Sequence, residues 1–566
     1  MDCAGRGNDV SRFGALQEMA VKLDRRNFVT ASTAALLAGR GLLASSASDA
    51  AIPAARRMVK TAEGTLRGYE TAKLAIFKGV AYGEDTAHRR FQAPVPVKPW
   101  NGVRDALTYG SPCYQNNPDP PAWQDAQPES EDCLKLNIWA PKDARNVPVM
   151  VWIHGGGYWW GSGGMPAYDG SALAERGGVI VVTVNHRLNV FGYLNLGSLV
   201  PEFENIGNPG HRDLVEALRW IQRNIAAFGG DAQQVTIFGE SGGGGKVTTL
   251  LSTPSAKGLF QRAIVQSLSA PRFRTNDMAQ KEVRDLCALV GVDPNNPRAL
   301  VDVPATELKP AYAEFFKGDA LIGDIGLLPL APVQDGNLLP YQPRDPRAMA
   351  LWADVPLLVG TTRDEAVWLM SQNGSLPNPS NDEELLAALA PMRHLGRPRL
   401  DALVRAFRHQ MPNADRQHLM VAVGTTIWMG ADAVRQADMK AALDAAPVYY
   451  YRFDWEEPFM NGFWALHGGD VGFVFGTQDL PTIVDAKSDV IAERSKRYRN
   501  KEWYAVRDAM MDSWIAFAKT GNPGNKTVPD WPAYSLASRS FMRFDVHSSV
   551  AQDPLPAEVI ALMYDA

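Results

Sequence analysis

Val235-Thr236-Ile237-Phe238-Gly239-Glu240-Ser241-Gly242-Gly243 is an apolar, β-rich run that ends in a serine between glycines, and residues 246–251 behind it have helical character. A strand, a sharp turn and a helix are expected. Gly-x-Ser-x-Gly at such a junction is a nucleophile elbow: the flanking glycines let the backbone turn tightly enough to hold the serine hydroxyl above the sheet edge. The helix N-terminus behind Ser241 also favours negative charge developing beside it. Glycine-rich turns are common, so the motif gains weight only from matching parts elsewhere, in the right order.

Strands and helices alternate on both sides of the elbow. Short apolar, β-branched runs at 147–153, 179–185, 263–267 and 356–362 read as buried strands, and 61–73 as a hairpin. Such runs suit a mostly parallel sheet. Between them, 212–225 places Leu214, Leu218, Ile221 and Ile225 on one helical face. Residues 502–519 repeat the pattern with Val506, Met510, Trp514 and Phe517, then stop at Gly521 with Pro523 beyond. No internal repeat or long linker divides the chain. The expectation is α/β: one domain over 51–566, a central, mostly parallel sheet flanked by helices, with helical insertions at about 277–320 and 376–445 forming a gorge or cap.

With 566 residues and 46% hydrophobic composition, the chain can bury a large core. The 57 basic and 62 acidic residues leave a formal charge of −5 without a long run of one sign, so nothing points to nucleic acid or an anionic membrane as partner. Oligomeric state is not encoded in these patterns.

Residues 1–50 differ from the rest. Arg25-Arg26 precedes a weakly apolar stretch at 28–38 and a small-residue tract, Ala44-Ser45-Ser46-Ala47-Ser48, which resembles a twin-arginine export signal cleaved near 47–51. The apolar run, interrupted by Arg40, is too short to span a bilayer, so no stable membrane insertion is expected. Met19, six residues before Arg25, is the expected natural start. Export to the periplasm or medium permits disulfides. Of four cysteines, Cys3 lies in or before the signal, Cys287 sits in a helical segment, and Cys113 and Cys133 bracket 19 residues rich in Pro, Asn and Asp. A Cys113–Cys133 disulfide is predicted, worth roughly 3 kcal/mol for a loop of this size.

The second chemical motif is His154-Gly155-Gly156-Gly157, directly after the strand at 147–153. Acyl transfer passes through a tetrahedral oxyanion, which preorganised backbone N–H groups stabilise by on the order of 3 kcal/mol per donor. In the α/β-hydrolase arrangement such a loop precedes the elbow and works with the N–H of the residue after the nucleophile, here Gly242.

Several further blocks resemble the type-B carboxylesterases, the family that includes cholinesterases and bacterial para-nitrobenzyl esterases. Phe77-Lys78-Gly79-Val80-Ala81-Tyr82 is similar to the family's early FxGIPYA run, with Ala81 in place of proline, and Glu131-Asp132-Cys133-Leu134-Lys135-Leu136-Asn137-Ile138-Trp139 to its EDCLxLNIW signature, which carries the second cysteine of a family disulfide. Asn185-His186-Arg187-Leu188, Phe191-Gly192-Tyr193-Leu194 and Phe228-Gly229-Gly230-Asp231 match other blocks. The resemblance covers roughly 60–547 and implies an α/β-hydrolase fold and a bacterial branch, since glycine stands where animal relatives usually have alanine after the serine.

Chain order Ser, acid, His is then expected. Arg363-Asp364-Glu365-Ala366 is similar to the family's (K/R)DEG, which implies Glu365 as the acid; adjacent Asp364 is a rival that composition cannot separate. His467-Gly468-Gly469-Asp470-Val471-Gly472-Phe473-Val474-Phe475-Gly476 resembles HGxDxxYVFG, which implies His467 as the base. The implied reaction is nucleophilic acyl transfer: Ser241 attacks an ester carbonyl, His467 takes its proton, Glu365 holds the imidazole, and Gly156, Gly157 and Gly242 donate N–H groups to the oxyanion. Ser267 resembles a family serine near the acid, with Leu268 where glycine is usual. No cofactor or metal is needed, and no Cys/His spacing suggests one.

Aromatic residues near these motifs, Tyr158, Trp159, Trp160, Trp368, Phe463 and Trp464, together with Leu268, are expected to line a pocket for small to medium apolar or aromatic esters. Trp123 lies ten residues before Cys133, where cholinesterases place a cation-binding indole, but the shorter cysteine loop argues against choline-like substrates. The same triad could act on amides, lactones or thioesters. A noncatalytic cholinesterase-like binding protein would have lost the nucleophile or the base, and this chain keeps both.

Overall fold

The structure, a computed structural model, describes residues 55–115, 128–268, 272–316, 327–371, 375–392, 395–459, 462–477 and 501–564. The expected export signal, Met19, Cys3 and Trp123 lie outside them. Runs of Val, Ile and aromatic residues build the strands: β1 (Arg56–Lys60), β2 (Thr65–Glu70), β3 (Leu74–Ala81), β4 (Val103–Asp105), β5 (Lys135–Pro141), β6 (Val147–Ile153), β7 (Ile180–Val184), β8 (Gly230–Glu240), β9 (Arg262–Gln266), β10 (Leu357–Thr362), β11 (Val448–Phe453), β12 (Glu457–Phe459), β13 (Gly462–Trp464), β14 (Ser540–Phe544) and β15 (Ser549–Gln552). Among the described residues, 13 strands form one sheet in the order β1-β2-β3-β5-β7-β6-β8-β9-β10-β11-β14-β15, with β4 beside β2.

The stretch from β7 to β14 pairs in parallel throughout. Antiparallel strands flank it on both sides. Its inner strands are covered on both faces, and every residue of β7 and β10 is buried, which is why they read as continuous apolar runs rather than alternating ones. This is the mostly parallel sheet flanked by helices of the α/β-hydrolase expectation. The expected 61–73 hairpin is part of a three-strand meander, since turns at Ala62–Gly64 and Thr71–Lys73 separate β1, β2 and β3.

One face of the sheet packs against α1 (Pro209–Asn224), with Leu214, Leu218 and Ile221 buried as their spacing predicts. A buried ion pair ties this helix to the chain leaving β7: Arg187 donates to both oxygens of Asp213, at 2.6 and 2.8 Å. Behind the elbow lies α2 (Gly242–Leu251). The expected helix starts at 246; the observed one includes all four preceding glycines, which disfavour helix by about 1 kcal/mol each and so mask the N-terminal turn.

The insertion after β9 contains α3 (Asn276–Leu289). The one after β10 begins with α4 (Ala366–Met370) and includes α5 (Arg416–Thr425) and α6 (Ala431–Ala442), with one π-helical turn, Thr426–Gly430, between the last two. The 376–445 part has its own apolar cluster, including Leu386, Val421 and Trp428, which Trp464 of β13 joins. Beyond β13 the chain forms α7 (Val471–Phe475) and α8 (Lys501–Thr520). Helix α8 covers the second face, where Met510, Trp514 and Phe517 meet Trp152 and Phe238 from the sheet. Trp514 lies edge-on to Tyr451 at 5.0 Å between ring centres, and truncating such a side chain to alanine costs about 3–5 kcal/mol.

The predicted Cys113–Cys133 disulfide is not formed. Both residues are buried free thiols, as is Cys287. The two are nonetheless partners: Cys113 and burial together push the Cys133 thiol well above the ordinary range. The spacing therefore indicates the neighbour, but the covalent bond needs removal of two electrons, and that depends on the redox surroundings rather than on the fold. Among the described residues no helix is long and apolar enough to cross a membrane, and no group of three or more His, Cys, Asp or Glu side chains is placed to hold a metal ion.

Candidate active site

The site forms at the C-terminal ends of the parallel strands. Strand β8 ends at Glu240, α2 begins at Gly242, and Ser241 sits between them at φ 57°, ψ −121°. That left-handed backbone is costly for a residue with a Cβ. It is held by the Ser241 N–H donating to Gln266 O on the neighbouring β9 at 3.0 Å, and by the start of the helix.

Strand β10 leads to Glu365 at the head of α4, and the loop after β13 carries His467. His467 Nε2 stands 3.0 Å from Ser241 Oγ. His467 Nδ1 stands 2.5 Å from Glu365 Oε2. The other glutamate oxygen accepts the Ser267 hydroxyl at 2.6 Å and the Thr362 N–H at 2.8 Å, so the carboxylate is fixed from three sides. His467 and Glu365 are almost completely buried.

The adjacent carboxylate points elsewhere. Asp364 Oδ2 accepts the Ala465 N–H at 2.8 Å and the Arg363 guanidinium at 2.7 Å. The Asp364 N–H in turn donates to Ala465 O at 3.0 Å. Asp364 thereby clamps the segment that delivers His467, while Glu365 meets the imidazole itself. One residue of register separates the two tasks.

The glycine loop expected to face the oxyanion follows β6. Gly156 and Gly157 take φ of +81° and +61°, the left-handed region where glycine alone is free of strain. The first turn of α2 lies directly on this loop: a Cβ added to Gly242 would come within 2.0 Å of Gly157 O. Gly156, Gly157 and Gly242 are thus brought together beside Ser241.

Glu240, the unassigned middle residue of the motif, turns out to face the imidazole. Its Oε1 is 3.3 Å from His467 Nε2, and neither carboxyl oxygen has a hydrogen-bond partner among the described residues. Burial lifts this carboxyl to about 8. Burial also disfavours a charged imidazole, but the Glu240 and Glu365 carboxylates outweigh it and lift His467 to about 9. Protonation of Glu240 removes one of those two charges and so favours the neutral imidazole. The imidazole ring also packs against two indoles, Trp428 at 4.8 Å and Trp368 at 5.6 Å between centres, which stack on each other at 5.7 Å. Trp428 comes from the π-helical turn, and no local sequence pattern near the motifs announces it.

The expected pocket residues scatter. Trp368 flanks His467, as placed. Trp159 is half-buried and donates its indole N–H to Pro329 O at 2.8 Å, and Trp160 is half-buried against the core on the α8 side. Leu268 borders a small cavity of about 20 Å³, together with Thr248, Met349, Trp352 and Gln436. Tyr158 is fully buried and packs against Tyr193 at 5.0 Å. Trp464 is buried in the helical insertion against His418. Phe463, its neighbour on β13, points the other way and is 54% exposed, as side-chain alternation along a strand requires.

The profile of the carboxylesterase family matches residues 55–561. The chain belongs to the carboxylesterase family. This carboxylesterase is 34% identical over 508 residues to the para-nitrobenzyl esterase of Bacillus subtilis (strain 168), an alignment covering 88% of this chain and 96% of that one. It is 31% identical to carboxylesterase 1E of Mus musculus, over 87% and 91% of the two chains. Among solved structures it resembles the Geobacillus stearothermophilus carboxylesterase EST55, with a TM-score of 0.74 at 34% identity over 88% of this chain and 98% of that one. A para-nitrobenzyl esterase structure matches with a TM-score of 0.75 at 32% identity, over 90% and 100% of the chains. The chain is therefore a carboxylic ester hydrolase with the α/β-hydrolase fold.

Proposed function

We propose that this carboxylesterase cleaves small to medium apolar or aromatic esters through an acyl-enzyme on Ser241, with His467 as general base and acid and Glu365 as its partner. The observation that carries this reading is the unbroken chain Ser241 Oγ to His467 Nε2 at 3.0 Å and His467 Nδ1 to Glu365 Oε2 at 2.5 Å. Glu365 accepts the Nδ1–H, which leaves the Nε2 lone pair facing the serine hydroxyl. Attack of Oγ on the ester carbonyl passes its proton to Nε2, and the resulting imidazolium is stabilised by Glu365 on one side and by the faces of Trp428 and Trp368. The oxyanion is stabilised by N–H groups of Gly156, Gly157 and Gly242. His467 then returns the proton to the departing alkoxide, and water repeats the sequence to release the acid.

The proposed substrate range rests on the indoles of Trp368 and Trp428 beside His467 and on the half-buried indole of Trp159 just after the glycine loop. We further propose export by the twin-arginine route, from Arg25-Arg26 and the small-residue tract after it, and closure of the Cys113–Cys133 bond once the chain meets an oxidising compartment.

Turnover of para-nitrophenyl esters from acetyl to palmitoyl, beside Ser241→Ala, tests the reaction. Rapid hydrolysis of the shorter esters, with a fall in kcat of about 10⁶-fold on substitution, is expected. A folded wild-type sample without serine-dependent turnover overturns the assignment.

A further inference from the structure

The run Gly242-Gly243-Gly244-Gly245-Lys246 contributes only Gly242 to the reaction above, yet its other members are placed as specifically. A Cβ on Gly243 would lie 2.1 Å from Ile153 O, and one on Gly244 would lie 2.7 Å from Gln266 O. The first turn of α2 therefore rests backbone to backbone on the ends of β6 and β9, an approach that side chains on these residues would prevent. This brings Lys246 under the oxyanion loop. Lys246 is fully buried, and its Nζ donates to the carbonyl of His154 at 3.0 Å. The Nζ also lies 5.6 Å from the centre of the Tyr158 ring. Among the described residues no carboxylate pairs with it. The groups around it are His154 and His186, stacked at 4.9 Å, and His211.

A buried ammonium without a counter-ion is expensive, and burial pushes this amine well below the ordinary lysine range. Its surroundings answer in kind: burial, with Lys246 second, holds His154 well below the ordinary imidazole range. The amine donates its hydrogen bond inside the protein, where such a bond is strong. Its acceptor is the last carbonyl before Gly155-Gly156-Gly157, three residues whose lack of side chains leaves the backbone otherwise free to reorient.

We propose that Lys246 is a positioning residue for the oxyanion loop, its Nζ–H holding the His154 carbonyl and thereby fixing the direction of the Gly156 and Gly157 N–H groups. The inference rests on the proposed role of those N–H groups. It also explains why a cation-forming residue stands inside an otherwise uncharged, buried helix: the loop needs a donor long enough to reach it from α2.

The test compares the full-length protein with Lys246→Met, which keeps length and volume but removes the donor, and Lys246→Gln, which keeps a donor on a shorter stem. Two quantities are measured: kcat and KM for para-nitrophenyl acetate, and the inhibition constant of a trifluoromethyl ketone, which adds to a serine as a charged tetrahedral oxyanion. Loss of one hydrogen bond predicts that kcat of Lys246→Met falls about tenfold with KM changed less than about twofold. The ketone should weaken by the same factor as kcat, and Lys246→Gln should recover part of both. A merely structural role moves thermal stability without this matched pair. If Lys246→Met does not fold, Lys246→Leu replaces it, and in the folded donor-free variant a kcat loss smaller than about twofold, or one not mirrored by the ketone, overturns the inference. Serine-dependent turnover in the wild type with unchanged Lys246 variants refutes this inference alone; its absence in the wild type refutes the proposed function.

Discussion

Substituting Glu365 by glutamine changes almost no volume, yet the geometry around it predicts a large loss of activity. Three donors converge on the carboxylate: the His467 Nδ1–H at 2.5 Å, the Ser267 hydroxyl at 2.6 Å and the Thr362 N–H at 2.8 Å. A carboxylate accepts all three, whereas an amide has one accepting oxygen. If that oxygen keeps Ser267 and Thr362, the NH₂ faces Nδ1, the imidazole must accept there, and its proton moves to Nε2, where it can no longer take one from Ser241. If the amide flips to restore the tautomer, its NH₂ faces the Thr362 N–H in a buried site, which costs about 1–3 kcal/mol, and the imidazolium still lacks its counter-charge. Either way kcat should fall by about 10³–10⁴, or about 4–5 kcal/mol, with KM little changed. The assay is steady-state hydrolysis of para-nitrophenyl acetate with melting temperatures as a folding control. Asp364→Asn is the comparison: its carbonyl still accepts the Ala465 N–H, so its loss should stay below about tenfold. A folded Glu365→Gln protein losing less than about tenfold, or Asp364→Asn losing more than Glu365→Gln, would refute the assignment.

Two other outcomes are expected. Burial raises Glu240 from 4.5 to about 8 in the folded state, and His467 is raised from 6.5 to about 9. Both therefore hold protons more tightly when folded and contribute stability that is present at low pH and fades as pH rises through their folded values. Wild-type unfolding free energy should decline by on the order of a few kcal/mol between about pH 5 and 9, and Glu240→Gln should flatten that slope; denaturation curves that stay parallel across this range would exclude the effect. For the exported protein, intact mass under non-reducing conditions should show removal of the arginine-containing leader and the loss of two hydrogens at Cys113 and Cys133; a mature chain that retains Arg25-Arg26, or a full count of free thiols, would count against export or the bond respectively.

The sequence by itself determined the backbone frame of the site. Strand β6, the elbow after β8 and the approach of β10 are local events, set by β-branched runs that end in glycine or a capping position, and they lie within one residue of where periodicity puts them. It pointed to Ser241, Glu365 and His467 only through motif resemblance, because nothing local joins residues 226 positions apart. The tertiary structure alone decided which of two adjacent carboxylates meets the imidazole, because a single step along the chain turns the side chain toward a different neighbour. It separated Phe463 from Trp464 in the same way, one side of a two-stranded ribbon facing solvent and the other the core. It brought Trp428 from a distant helix to His467, and it made the glycine run helical, with the Gly157 carbonyl and the ends of β6 and β9 lying where Cβ atoms on Gly242, Gly243 and Gly244 would be. It gave Lys246 a carbonyl to hold. Patterning along a chain reports whether a residue belongs to a strand or a helix and which face is buried; what stands across that face depends on the order in which strands join the sheet.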